Sequence, residues 1–217
     1  MARRKATEVY KKAIANGHEV ATHGYNHPFL DLLPPEMVTC EIAEDRRELE
    51  EMLGTVIKGH AYPFGTTSGQ VVEALKNCGI LYARTTVSTN RFDIPTDWLR
   101  LSATCHHNAP ELMQLAEQFL KPFPYPIPRL FYLWGHTYEF EMNNNWEVME
   151  KFAAYLGGRE DVWYANNMQI YEYVEAYRAL QFSYNGNIVY NPSCKTVWFI
   201  SGNVQVKVAP EETVRIR

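Results

Sequence analysis

The hydrophobic period of this chain changes once, after Leu180, and that change limits what it can fold into. Before it, segments with apolar residues three and four apart alternate with short apolar runs. The spacing predicts helices over 7–16, 34–53, 69–78, 111–120, 145–156 and 168–180. It predicts short strands over 17–22, 56–61, 80–85, 98–103, 129–134 and 162–165. Pro34-Pro35-Glu36 suits a helix start, and Asn16-Gly17, Gly79 and Gly157-Gly158 suit helix stops. Strands alternating with helices imply βαβ units and a parallel sheet. After Leu180 the runs 182–190, 196–201, 204–208 and 213–216 alternate apolar and polar residues, separated by turns such as Asn185-Gly186 and Ser201-Gly202. The expected chain is an α/β domain over 1–180 with a small antiparallel β appendage over 181–217. Pro122, Pro124, Pro126 and Pro128 predict a stiff connector inside the first.

Composition narrows the function. A hydrophobic fraction of 46% supplies a core, which excludes a disordered chain. The formal net charge of -4 leaves no basic surplus to hold a phosphate backbone, so nucleic acid is not the expected partner. Cys40, Cys78, Cys105 and Cys194 are widely separated with no C-x-x-C pair, so neither a cysteine zinc site nor a disulfide scaffold is signalled. No apolar run reaches transmembrane length, and the charged start at Met1 is not followed by a signal-peptide stretch. As written, the chain is expected in the cytoplasm with no membrane partner; an upstream segment would change that expectation.

Three motifs sit where predicted strands end. His23-Gly24-Tyr25-Asn26-His27-Pro28 follows the strand that ends at Thr22. Two imidazoles four residues apart can converge on one divalent ion, or be surface or capping groups. Ala61-Tyr62-Pro63-Phe64-Gly65 follows the next strand. Such a turn can aim a backbone N–H at a developing oxyanion, or be an ordinary strand exit. Leu133-Trp134-Gly135-His136 ends the aromatic strand, where a histidine can be a general acid or a hydrogen-bonded core group. Thr104-Cys105-His106-His107 reads as a polar loop, with a cleft-lining or extra-ligand role as the alternative. The stretch 135–146 is rich in aromatics and amides, which suits sugar stacking, while Asn144 or Asn145 suits a helix N-cap.

In this order the motifs resemble those of the polysaccharide deacetylases, the NodB-homology group also called carbohydrate esterase family 4. The resemblance covers residues 8 to about 180. His23 and His27 match the family's H-[ST]-x-x-H pair, with Gly24 where Ser or Thr is usual. Pro63, Phe64 and Gly65 match its R-x-P-[FY]-G turn, with Ala61 where the arginine stands. Leu133 to His136 aligns with its final L-x-L-x-H-type motif. The resemblance implies a (β/α) barrel and metal-assisted hydrolysis of an N- or O-acetyl group on a carbohydrate. It implies His23 and His27 as ligands of a divalent metal, zinc foremost. His136 would protonate the leaving group and Phe64 would lend its backbone N–H. Tyr62, Pro63, Trp134 and Tyr138 would bind substrate.

The family's T-F-D-D-[GA] strand end, source of its base and third metal ligand, has no counterpart. The paired acids are Glu44-Asp45, Glu50-Glu51, Glu160-Asp161 and Glu211-Glu212, and none follows an apolar strand ahead of His23. The expectation is an incomplete barrel with an open edge at the His23 strand. Three origins fit: a piece of a longer enzyme, a shortened inactive relative, or a chain whose edge a second copy covers in a homo-oligomer. Two functions follow. One is a deacetylase incomplete as this chain alone; the other is a non-catalytic carbohydrate-binding or assembly module.

Overall fold

The computed structural model of the protein describes residues 2–122 and 127–216, with residues 2–6 described by their backbone. Pro124 and Pro126 of the predicted connector lie outside the described residues. The chain divides into two compact units, Met1–Tyr164 and Ala165–Arg217. The helix expected at the end of the barrel therefore groups with the strands that follow it.

In the first unit, helices α1 (Ala2–Ala15) and α2 (Pro35–Leu53) precede strand β1 (Gly59–Ala61). Then come α3 (Gly69–Asn77), β2 (Tyr82–Ser88), β3 (Leu101–Ala103) and β4 (Cys105–His106). Helix α4 (Leu112–Leu120), β5 (Leu133–Trp134), α5 (Thr137–Asn143) and α6 (Trp146–Leu156) complete it. Strands β1, β2 and β3 form one parallel sheet in sequence order, and β4 pairs in parallel with β5. Thr22 adds a parallel bridge to His60 at the β1 edge. This is an incomplete (β/α) barrel.

Local chemistry explains the long helix. Proline stands at the first helical position of α2 and Glu36 complements its positive end. Gly54 closes it at φ 68°, a left-handed cap whose N–H donates to the Glu50 carbonyl. Val38 and Ile42 of α2 and Val71 and Leu75 of α3 are fully buried with Leu30, Tyr62 and Ala83 over β1 and β2. Each such aliphatic side chain contributes roughly 1.5–3 kcal/mol by leaving water. A second cluster packs Leu112, Leu115 and Ala116 of α4 against Phe152 and Leu156 of α6, over Cys105 of β4.

Several expectations are corrected. The predicted strand over 17–22 reduces to the single bridge at Thr22, because its polar start makes no ladder. The run 129–134 pairs only at Leu133–Trp134, and both are half-buried rather than buried. The segment 162–165 is not a strand; Trp163 and Tyr164 are exposed there. Helix α5, absent from the sequence reading, follows β5 directly.

The second unit joins α7 (Asn167–Arg178) to β6 (Gln181–Phe182), β7 (Ile188–Tyr190), β8 (Val197–Ser201), β9 (Val204–Val208) and β10 (Thr213–Arg215). Its strands are antiparallel, in the order β10-β7-β6 and as the hairpin β8-β9. Val189, Val206 and Val208 form its core. No helix among the described residues is long and apolar enough to cross a membrane.

Candidate functional site

Parallel pairing brings the segments after Thr22, β1, β4 and β5 to the C-terminal ends of the strands, where (β/α) barrels place their chemistry. The first group is built on the bridge at Thr22. Its N–H donates to the Gly59 carbonyl at 3.0 Å, and Ala61 N–H donates to the Thr22 carbonyl at 2.9 Å. The Thr22 hydroxyl donates to the Gly59 carbonyl at 3.0 Å and lies 2.8 Å from His60 Nδ1. With the hydroxyl proton so used, His60 donates through Nδ1–H, and its Nε2 is buried without a partner. Burial, followed by the charges of His23 and Arg84, pushes His60 down to about 3, so it is neutral at ordinary pH.

The loop after Thr22 aims two imidazoles at each other. His23 Nδ1–H donates to the Ala61 carbonyl at 2.6 Å, which turns the Nε2 lone pair outward. His23 Nε2 and His27 Nε2 lie 3.1 Å apart, with the rings edge to face. Two imidazole nitrogens on one tetrahedral zinc sit about 3.3 Å apart, so the pair fits a shared cation as it fits a shared proton. Burial holds His23 below its ordinary value against the Ala61 hydrogen bond, which keeps the ligand form. Helix α2 fixes the loop from one face. Asp45 Oδ2 accepts the His23 N–H at 2.7 Å. Glu41 accepts the Asn26 N–H at 2.8 Å and the Asn26 side-chain amide at 2.7 Å. Burial raises the Asp45 carboxyl despite the opposing His23 and Gly24 N–H groups. Gly24 has φ 77°, and a Cβ there would meet Pro63 Cγ at 3.0 Å, so glycine suits this position where the family uses Ser or Thr.

The turn after β1 clamps the pair. Phe64 adopts φ 57°, a left-handed conformation that costs a non-glycine residue energy. Its ring stacks on Phe29 at 3.8 Å and meets His27 edge-on at 4.6 Å. The turn's own hydrogen bond runs from Gly65 N–H to the Tyr62 carbonyl, so it does not engage the Phe64 N–H. Tyr62 corrects its substrate-binding expectation: it is 1% exposed and its hydroxyl donates to the Leu99 carbonyl at 2.6 Å. Pro63 is likewise buried, against Gly24. Both build the core under the turn.

A second group gathers at β4 and β5, and it overturns the polar-loop reading of 104–107. Cys105 is fully buried and His107 is 3% exposed. Glu139, in the first turn of α5, is hydrogen-bonded to His136 and Asn108 and lies close to His106 and His107. His136 Nδ1 is 2.6 Å from Oε1, Asn108 Nδ2 donates to Oε2 at 2.8 Å, and His107 Nε2 is 3.2 Å from Oε2. His106 Nε2 lies 3.5 Å from Oε1. Burial raises the Glu139 carboxyl, but the His136 hydrogen bond and the neighbouring imidazoles outweigh it and hold it below its ordinary value. Burial lowers both His106 and His107, partly offset by Glu139. Ligand atoms of His106, His136 and Glu139 all lie within 4.8 Å of one another, close enough for an ion. The Asn108 N–H, however, donates to His106 Nδ1 at 3.2 Å, which leaves the proton on Nε2. A proton there favours a hydrogen-bonded relay over metal ligation. Gly135 permits the packing, since a Cβ on it would lie 1.7 Å from His107 Nδ1.

Of the expected substrate residues, Trp134 is half-buried with its Nε1–H 3.5 Å from Ser88 Oγ, and Tyr138 is 58% exposed. Glu41, Asp45 and Glu139 escaped the sequence reading. The i,i+4 spacing of the first two on one helix face was the available signal.

The family model described as polysaccharide deacetylase matches residues 2–83. Over those residues the chain is similar to that family. The matched segment carries His23, His27 and the Phe64 turn, and it ends on β2. The uncharacterized protein YlxY of Bacillus subtilis (strain 168) is 27% identical over 70 residues, which is 32% of this chain and 22% of that protein. A Mycobacterium smegmatis structure described as a polysaccharide deacetylase superposes with a TM-score of 0.53 at 18% identity, covering 81% of this chain and 69% of that one. A 4-alpha-glucanotransferase from Thermococcus litoralis gives a TM-score of 0.53 at 14% identity, covering 77% and 30%. At these identities the two structures speak to the fold. The chain thus matches about a fifth of the length of this curated relative.

Proposed function

We propose that this chain is a metal-dependent hydrolase that removes acetyl groups from an N- or O-acetylated carbohydrate. The observation that carries the reading is the His23–His27 pair, with facing Nε2 atoms 3.1 Å apart and His23 Nδ1 tied to the Ala61 carbonyl. These two residues would hold a divalent cation, zinc foremost. When bound, it supplies Lewis acidity toward the acetyl carbonyl and toward water. The Phe64 N–H is the candidate donor to the developing oxyanion. Glu139 holds His136 by Nδ1, so Nε2 is the atom from which a proton passes to the departing amine or alcohol. The exposed Tyr138 ring suits stacking on a sugar.

A catalytic zinc site takes about three protein ligands, and among the described residues no third imidazole or carboxylate joins His23 and His27. Turnover by this chain alone is accordingly proposed to be low. The same ligand count supports a second reading, a non-catalytic carbohydrate-binding or assembly module, with a second copy over the open edge at Thr22. Two measurements decide. Cobalt or zinc titration should lose most of its affinity in the His23→Ala, His27→Ala double variant; unchanged affinity sinks the metal assignment. Acetate release from acetylated chitooligosaccharides, with and without added zinc, separates the readings. Metal-stimulated release supports the hydrolase, and glycan binding without release supports the module.

A further inference from the structure

Arg84 belongs to neither histidine group yet connects them. It lies on β2 in register with Ala61, the residue whose carbonyl orients His23. Its guanidinium lies 4.8 Å from the Trp134 ring centroid, and Trp134 is in register with His106 across β4 and β5. Its charge is felt by His23 and His60 on one side and by His106 on the other. The side chain is half-buried, and burial lowers its pKa with only the Tyr132 phenol opposing.

No carboxylate pairs with Arg84 among the described residues; its one hydrogen bond runs from Nη1 to the Thr85 carbonyl at 3.3 Å. A half-buried cation without an anion is costly, and the fold retains it. Trp134 covers a face of the guanidinium, as cation–π packing does, and leaves its edge donors for a ligand. A planar fork of donors matches a planar carboxylate.

We infer that Arg84 is an anion-binding residue of this site and that its ligand carries a carboxylate. The group is either the acetate released by the proposed reaction or an acidic group on the carbohydrate itself. The inference deepens the proposed function and rests on it for the carbohydrate, but it does not depend on the metal. The test therefore uses the full chain in EDTA, titrated with acetate, glucuronate and glucose and followed by calorimetry and by the Arg84 Nε–H resonance. Both carboxylates should bind and shift that resonance, and glucose should not. Arg84→Met should weaken binding about tenfold or more, and Arg84→Lys less. Glucuronate binding tighter than acetate assigns the anion to the carbohydrate; equal binding assigns it to the released acid. Wild-type affinity in Arg84→Met overturns the inference. So does a wild-type Arg84 resonance that ignores both carboxylates, a readout that survives if the methionine variant fails to fold.

Discussion

His60 makes the stability of the first unit acid-sensitive by an amount the structure sets. It is 0% exposed, donates through Nδ1–H toward the Thr22 hydroxyl, and is pushed down to about 3 by burial and by the His23 and Arg84 charges. Unfolded, it returns to its ordinary 6.5. Between those values the unfolded chain binds a proton that the folded chain refuses, so stability rises with pH. The contribution is complete above pH 6.5 and is lost as pH falls toward 3. One proton corresponds to about 1.4 kcal/mol per pH unit, hence about 2.7 kcal/mol between pH 6.5 and 4.5. For a domain of this size that is about 5–11 °C in Tm. The perturbation is His60→Asn, whose amide can still donate to Thr22 but cannot titrate. Urea unfolding of both proteins across pH 4.5–7 is the assay. The wild-type curve should fall about 2.7 kcal/mol further than the variant's between pH 6.5 and 4.5. Parallel curves would mean that His60 takes a proton while folded, and the argument from its burial would fail.

Three further outcomes follow from the same geometry. Gly135→Ala should destabilise the protein by about 1–3 kcal/mol in denaturant unfolding, because its Cβ lands on His107; Gly158→Ala, also at positive φ but in open space, should cost less. Glu139→Gln should lose about 1.5–3 kcal/mol at pH 7, since a carboxylate that accepts several N–H groups becomes an amide with one acceptor. The Glu139 carboxyl is held below its ordinary value, so that stabilisation exists above it and is lost as pH falls through the folded value; the gap between the two proteins should close in acid. Phe64→Ala removes the ring seated between Phe29 and His27 and should weaken cobalt binding about tenfold or more, with Phe64→Tyr close to wild type.

The helices were legible because their signals are local. Proline and Glu36 at the start of α2, Gly54 at its end and the apolar spacing of α3 and α4 each act within one turn. The short strands were legible only in part. A parallel strand is defined by its neighbours, and 17–22 has one neighbour for one residue, Thr22 against His60. The site divided in the same way. His23 and His27 stand out as a spaced pair, but what aims them comes from distant residues, Gly59, His60 and Ala61 on one side and Glu41 and Asp45 of α2 on the other. Tyr62 and Pro63 were expected to bind substrate from their place in the turn motif; the fold buries both and turns Phe64 outward.

Glu139 shows why the second group stayed hidden. In sequence it is one acid in an aromatic run, three residues after His136, and the spacing suggests a helical pair at most. Its importance arises from β4, whose register against β5 sets His106 beside Trp134 and carries His107 under Gly135. Only then do His136 and the Asn108 amide share one carboxylate, with His106 and His107 close beside it. The charge accounting at the strand ends follows from that sharing. Glu139 is spoken for, Asp45 is engaged by the backbone of the His23 loop, and neither is left for Arg84. An arginine that the fold half-buries, with no carboxylate partner among the described residues, is therefore a place at this end of the sheet where a ligand's negative charge would complete the electrostatics.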